Sequence, residues 1–164
     1  MAVTRRSAMH RLTRRLVRRF GQIENRQRLL LAEAAVWLWL ARLALIVVPF
    51  PRLARRLGTV LPPAEARAVQ AQWRAQPRAE ATAAVIGWAV TRAARYVPFR
   101  AVCLPQAMAA RMMLKRRGIG SVLHFGAILG QEKPIDAHAW LDAAGVEVTG
   151  YPVARNYAEI ACFV

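Results

Sequence analysis

Pro98-Phe99-Arg100-Ala101-Val102-Cys103-Leu104-Pro105 is where the chain changes character. The prolines break one helix and open another, because a proline is tolerated in a first turn, where its missing N–H would have no partner. The segment 105–117 then reads as a helix that stops at Gly118. Lys115, Arg116 and Arg117 fall in its last turn, where the negative end of the helix dipole favours cations. Beyond Gly120 the apolar period becomes two. Ser121 to Ala127, Ile135 to Asp142, Val146 to Thr149 and Tyr157 to Val164 read as strands, the middle pair joined across Ala143 to Gly145. Helices first and a small antiparallel sheet after them make an α+β fold.

Upstream of Pro98 the reading is helical throughout. Residues 8–20 interleave Arg11, Arg14, Arg15, Arg18 and Arg19 with Leu12, Leu16, Val17 and Phe20, the pattern of a basic amphipathic helix. Residues 25–48 form a strongly apolar helix that Pro49 and Pro51 end, and a short basic segment, Leu53 to Leu57, stops at Gly58. Helices at 64–76, opened by Pro62 and Pro63, and at 79–96 follow. No strand signal and no catalytic constellation lies in this part, so residues 1–82 read as a helical lobe and 83–164 as the core, packed as one unit. The apolar run 34–48 is shorter than the roughly 20 residues that cross a bilayer and contains Arg42, which favours a buried or interfacial helix over a span.

The length of 164 residues suits one domain, and the net charge of +16 is almost all arginine. Such a surface suits nucleic acid, anionic lipid or an acidic peptide, and charge alone does not choose among them. No zinc finger, winged helix or aromatic-basic platform favours nucleic acid. The cysteines and histidines lack paired metal-ligand spacing and there is no glycine-rich phosphate loop, so no metal and no cofactor are expected. Two cysteines, one of them in a reactive setting, suit a reducing cytoplasmic location, with association at a membrane surface left open.

Cys103 is the reactive one. It stands at a helix N-terminus, where unpaired N–H groups and the positive dipole end stabilise a thiolate and can hold an oxyanion. Further along, the strand Ile135-Asp136-Ala137-His138-Ala139-Trp140-Leu141-Asp142 places Asp136, His138, Trp140 and Asp142 on one face. A helix-borne Cys followed by a strand-borne His is the order in which an imidazole takes a thiol proton and later protonates a leaving amine. The group that orients His138 stays open: Asp136 and Asp142 share its face, and Thr149 or a backbone carbonyl serves equally well. Pairing across a tight turn at Ala144-Gly145 would set Asp142 opposite Glu147 and His138 opposite Tyr151. His124 competes as base from the neighbouring strand, and Gln106, His124 and Trp140 are candidate linings of the cleft, Trp140 serving equally as ordinary packing.

Several stretches resemble one family as a set: 88–100, Cys103-Leu104-Pro105-Gln106-Ala107, Lys115 to Ile119, and Ala137-His138-Ala139-Trp140-Leu141. Together they look like the transglutaminase-like leader peptidases of lasso peptide gene clusters. The resemblance implies a transglutaminase/papain-like core with Cys103 as nucleophile and His138 as base, and a triad aspartate at the position where this chain has Thr149-Gly150. It implies the split form of the enzyme, which works with a leader-recognition protein in trans. The substrate would be a lasso precursor peptide, and the product would pass to an asparagine-synthetase-like macrolactam cyclase. Two other readings stand beside it: an amide-transferring enzyme on the same Cys–His site, and a non-catalytic basic protein of anionic membranes or nucleic acid.

Overall fold

In a computed structural model of the chain, residues 25–73, 77–129 and 135–164 are described. The basic helix expected at 8–20 lies outside them. Eleven elements follow in order: α1 (Asn25–Val47), α2 (Phe50–Leu57), β1 (Val60–Leu61), α3 (Pro63–Gln72), α4 (Pro77–Ala93), α5 (Cys103–Lys115), β2 (Val122–Ile128), β3 (Asp136–Ala143), β4 (Val146–Thr149), a 3-10 turn (Val153–Asn156) and β5 (Ala158–Phe163).

The punctuation read from the sequence works as expected, with one consequential shift. Helix α5 begins at Cys103, not Pro105, so the cysteine lies inside the first turn behind an extended Val102. Its far end closes with the Ile119 N–H on the Leu114 carbonyl (3.1 Å) and the Gly118 N–H on the Lys115 carbonyl (3.0 Å). Gly118 has φ +68, a left-handed cap that glycine adopts without cost. The basic segment after Pro49 is itself a helix, α2, burying Leu53 and Leu57 one turn apart and exposing its arginines.

The five strands pair antiparallel in the order β1-β5-β2-β3-β4. Strand β1 is a correction to the reading of an all-helical first hundred residues: two residues, Val60 and Leu61, extend the sheet against Phe163 and Cys162. So short a strand has no periodicity to detect. The β3–β4 hairpin turns at Ala144 (φ +50) and Gly145 (φ +80), the left-handed pair that a two-residue turn requires. Asp142 does oppose Glu147, but the register slips between Leu141 and Asp142, so Leu141 opposes Thr149. The pairing expected for His138 is thereby displaced.

Leu123, Ala139, Leu141, Ala143 and Phe163 form one apolar face with α1, α4 and α5. Gly87 lets α4 approach β4 closely, since a Cβ there would lie 2.4 Å from the Val148 carbonyl oxygen. The other face is closed by α3, whose Ala66 packs on Val122 and Cys162. Arg111, half-buried on α5, donates Nη1 to the Ser121 (3.0 Å) and Phe163 (2.8 Å) carbonyls, fastening the helix to the ends of two neighbouring strands.

Helix α1 buries Ala34, Leu38 and Ala41, spaced as one stripe, and exposes Leu29, Val36, Trp39, Leu43, Ile46 and Val47. At 23 residues it is longer than the apolar run legible in the sequence, and by length and composition it could cross a bilayer. Its buried stripe nevertheless belongs to the same core as α5. Glu33 pins it there, accepting from Arg117 Nη1 (3.1 Å) and Nη2 (2.6 Å).

Candidate active site

The first turn of α5 brings the half-buried Cys103 to a shallow cleft of about 270 Å³. His138, Gln106, Thr149, Gly150 and Tyr151 share its walls. First-turn amides have no acceptor inside the helix, which leaves donors beside the sulfur. Proline at 105 contributes none. Gln106 fixes the approach to this turn: its backbone N–H reaches Val102 O (3.3 Å) and its side-chain Nε2 reaches Ala101 O (2.6 Å).

His138 projects from β3, and its Nε2 lies 2.8 Å from the carbonyl oxygen of Gly150. A carbonyl can only accept, so Nε2 carries the proton and Nδ1 of the neutral ring keeps a lone pair. The same carbonyl accepts the Ala154 N–H at 3.1 Å, so the 3-10 turn fixes its direction. The imidazole lies beside the Tyr157 ring (centroids 5.0 Å apart) and stacks towards Trp140 (6.2 Å, 19° between planes). Gly150 has φ +91, and a Cβ there would lie 2.6 Å from the Trp140 Cβ and 2.8 Å from Ala139 O. Glycine is therefore the residue that lets this carbonyl sit against the strand that carries the histidine.

The carboxylates expected as orienting groups are committed elsewhere. Asp136 accepts the Tyr157 hydroxyl at 2.6 Å, and chiefly through that hydrogen bond the phenol is held above its usual pKa. Asp142 accepts from the Tyr151 hydroxyl (2.7 Å) and from Gln70 Nε2 (3.2 Å). Neither carboxylate is the hydrogen-bond acceptor of His138; the Gly150 carbonyl is. Thr149 is buried at the cleft wall, and its Oγ1 meets no hydrogen-bond partner among the described residues. Of the alternatives left open by the sequence, the backbone carbonyl is the one the geometry supplies, and Gly150 and Tyr157 are residues the sequence reading did not single out. The one available signal was a glycine after β4 where the resembling family has its aspartate.

His124 and Trp140 do not line this cleft as described. Trp140 is buried between the two histidines, parallel to His124 at 5.4 Å. His124 is 3% exposed and in contact with the Glu159 carboxylate, with Asp142 Oδ2 3.4 Å from its Nε2. Burial opposes a charge on His124, but the neighbouring Asp142 and Glu159 carboxylates outweigh it and raise its pKa. Cys162, fully buried beside Glu159, has its thiol pushed up to about 12, first by burial and then by the hydrogen bond to Glu159. That is the opposite of a nucleophile's environment.

A search of protein families finds a match over residues 44–162, to the transglutaminase-like superfamily. No curated protein and no solved structure matches the chain.

Proposed function

Because the chain belongs to the transglutaminase-like superfamily, whose members are often cysteine hydrolases and transferases, we propose that it is a cysteine peptidase that removes the leader from a lasso peptide precursor. The observation that carries the catalytic part is the meeting of Cys103 and His138 in one cleft, with Nε2 of the imidazole given to Gly150 O and Nδ1 left as the base.

The reaction runs in two halves. Nδ1 takes the Cys103 thiol proton, and the thiolate attacks the scissile carbonyl of the leader–core junction. First-turn amides of α5, the Cys103 N–H foremost, stabilise the resulting oxyanion. Collapse breaks the C–N bond, and the imidazolium returns its proton to the leaving amine, which is the new N-terminus of the core. Water, deprotonated by the same Nδ1, then hydrolyses the thioester and frees the leader carboxylate. The Gly150 carbonyl carries no full charge, so it orients the ring without the electrostatic support for the imidazolium that a triad carboxylate provides.

The substrate assignment rests on the motif set shared with the leader peptidases. In the split form of these enzymes that the motifs resemble, a separate protein supplies leader recognition, and an asparagine-synthetase-like cyclase consumes the freed amine. The arginine-rich surface would raise the encounter rate with an acidic leader or its carrier.

The test combines the purified chain with a lasso precursor and a leader-binding protein and follows cleavage by mass spectrometry. Wild type is expected to release leader and core, and Cys103→Ala to release neither. Cleavage by the alanine variant would sink the reading. Formation of an amide with an added amine, in place of the free leader acid, would reassign the site to acyl transfer.

A further inference from the structure

The face of the sheet closed by α3 carries a second cluster that the proposed peptidase reaction does not use. His124 on β2 and Cys162 on β5 are directly opposed. Phe125 opposes Ala161, but Gly126 opposes Glu159, leaving Ile160 as the extra residue of a bulge. Because side chains alternate between faces, one inserted residue turns those beyond it over. Glu159 therefore emerges beside His124 and Cys162, while Ile160 is left exposed. The outcome is one imidazole nitrogen, one thiol sulfur and one carboxylate oxygen within 4.8 Å of one another, drawn from two adjacent strands.

We propose that His124, Glu159 and Cys162 bind a divalent zinc-like metal ion, with Asp142 as the carboxylate that orients the histidine ligand. Three observations carry this. The donors converge: Cys162 Sγ lies 3.4 Å from His124 Nδ1 and 2.9 Å from a Glu159 oxygen, and that same oxygen is in hydrogen-bond contact with His124 Nδ1. Donors bound at zinc's bond lengths in a tetrahedron stand roughly 3.3–3.7 Å apart, so the ion takes the place of the protons that now join these atoms, and the Glu159 carboxylate draws away from Nδ1 to admit it. The donor set is mixed nitrogen, sulfur and oxygen, which suits zinc and its neighbours and not calcium or magnesium.

The third observation is independent of the cluster itself. Nε2 of His124, on a side chain only 4% exposed, makes no aligned hydrogen bond among the described residues, although Asp142 Oδ2 stands 3.4 Å away. A histidine that ligates through Nδ1 must carry its proton on Nε2, and metal-bound histidines direct that proton at a carboxylate. Asp142 is already held for this by Tyr151 and Gln70. Binding displaces the Cys162 thiol proton and the proton between His124 Nδ1 and Glu159, both released to solvent, and one carboxylate and one thiolate then face the dication while Asp142 accepts the Nε2–H of the ligand. The ion would join β2 to β5, and through Asp142 and Tyr151 its coordination would reach the wall of the Cys103 cleft.

The site is tested on the full-length chain, stripped with a chelator and titrated with Co²⁺ followed by Zn²⁺. Expected are one equivalent of Co²⁺ bound with a sulfur-to-cobalt charge-transfer band, its loss on adding Zn²⁺, and a rise in Tm with zinc. Cys162→Ser should abolish the band, Cys103→Ser should retain it, and Asp142→Asn should weaken affinity roughly 10–100-fold. Circular dichroism of each stripped variant separates lost ligation from lost folding. A wild type without the band at equimolar Co²⁺, or a band that survives in Cys162→Ser and disappears in Cys103→Ser, overturns the proposal. Since the readout is metal binding, a failed peptidase assay leaves it unaffected.

Discussion

At the scale of single residues the candidate site is organised by a backbone atom where an acid was expected. Removing the proposed base, His138→Ala, should lower the cleavage rate by about 10²–10⁴-fold at unchanged folding, measured under single-turnover conditions. Asp136→Asn should cost less than about tenfold in the same assay, because Asp136 reaches Tyr157 and not the imidazole. Gly150→Ala tests the carbonyl directly. Its Cβ would strike Trp140 and Ala139 O at a left-handed φ, so the chain must move there. The expected result is a rate loss approaching that of His138→Ala together with a lower Tm.

At the scale of elements the question is what fixes α1 to the core. Glu33 on α1 and Arg117 just beyond α5 meet in a two-pronged contact, and the hydrogen bond from Arg117, then its charge, holds the Glu33 carboxyl below its ordinary pKa despite some burial. A depressed carboxylate contributes stability that is complete above its unfolded pKa and is lost as pH falls through its folded one. Glu33→Gln should therefore destabilise by up to about 1 kcal/mol at neutral pH, by urea denaturation, with the difference from wild type shrinking below about pH 4. The two faces of α1 should respond differently. Leu38, fully buried, should cost about 2–5 kcal/mol as alanine, whereas Leu43→Ala, on the exposed side, should stay within about 0.5 kcal/mol.

At the scale of the whole molecule, helices and sheet close around one core, with α3 shielding the opposite face of the sheet. Arg111 joins the layers at the strand ends, and its burial lowers its pKa while leaving it a cation at any working pH. Arg111→Met keeps the apolar stem but strips the donor from two carbonyls. It should cost about 2–4 kcal/mol by urea denaturation, more than an exposed arginine such as Arg52 would.

The sequence by itself determined the order and kind of the elements apart from α2, β1 and the 3-10 turn, since prolines at 49, 63, 77 and 105 and glycines at 118 and 145 act locally on φ or on a single N–H. It determined the α+β class through the change of apolar period after Gly120, and it marked Cys103 by its place at a helix start. It also showed that Asp136, His138, Trp140 and Asp142 share a face, because alternation is a property of one strand. Everything that depends on two strands was decided by the tertiary structure. The slip at Leu141 changed the register beside His138, and the Gly150 carbonyl became its acceptor although a backbone oxygen has no residue type to read. The bulge at Ile160 turned Glu159 towards His124 and Cys162, which is why no ligand spacing was visible along the chain. Register and bulges follow from the packing of both faces at once, and a single strand's sequence does not contain its neighbour.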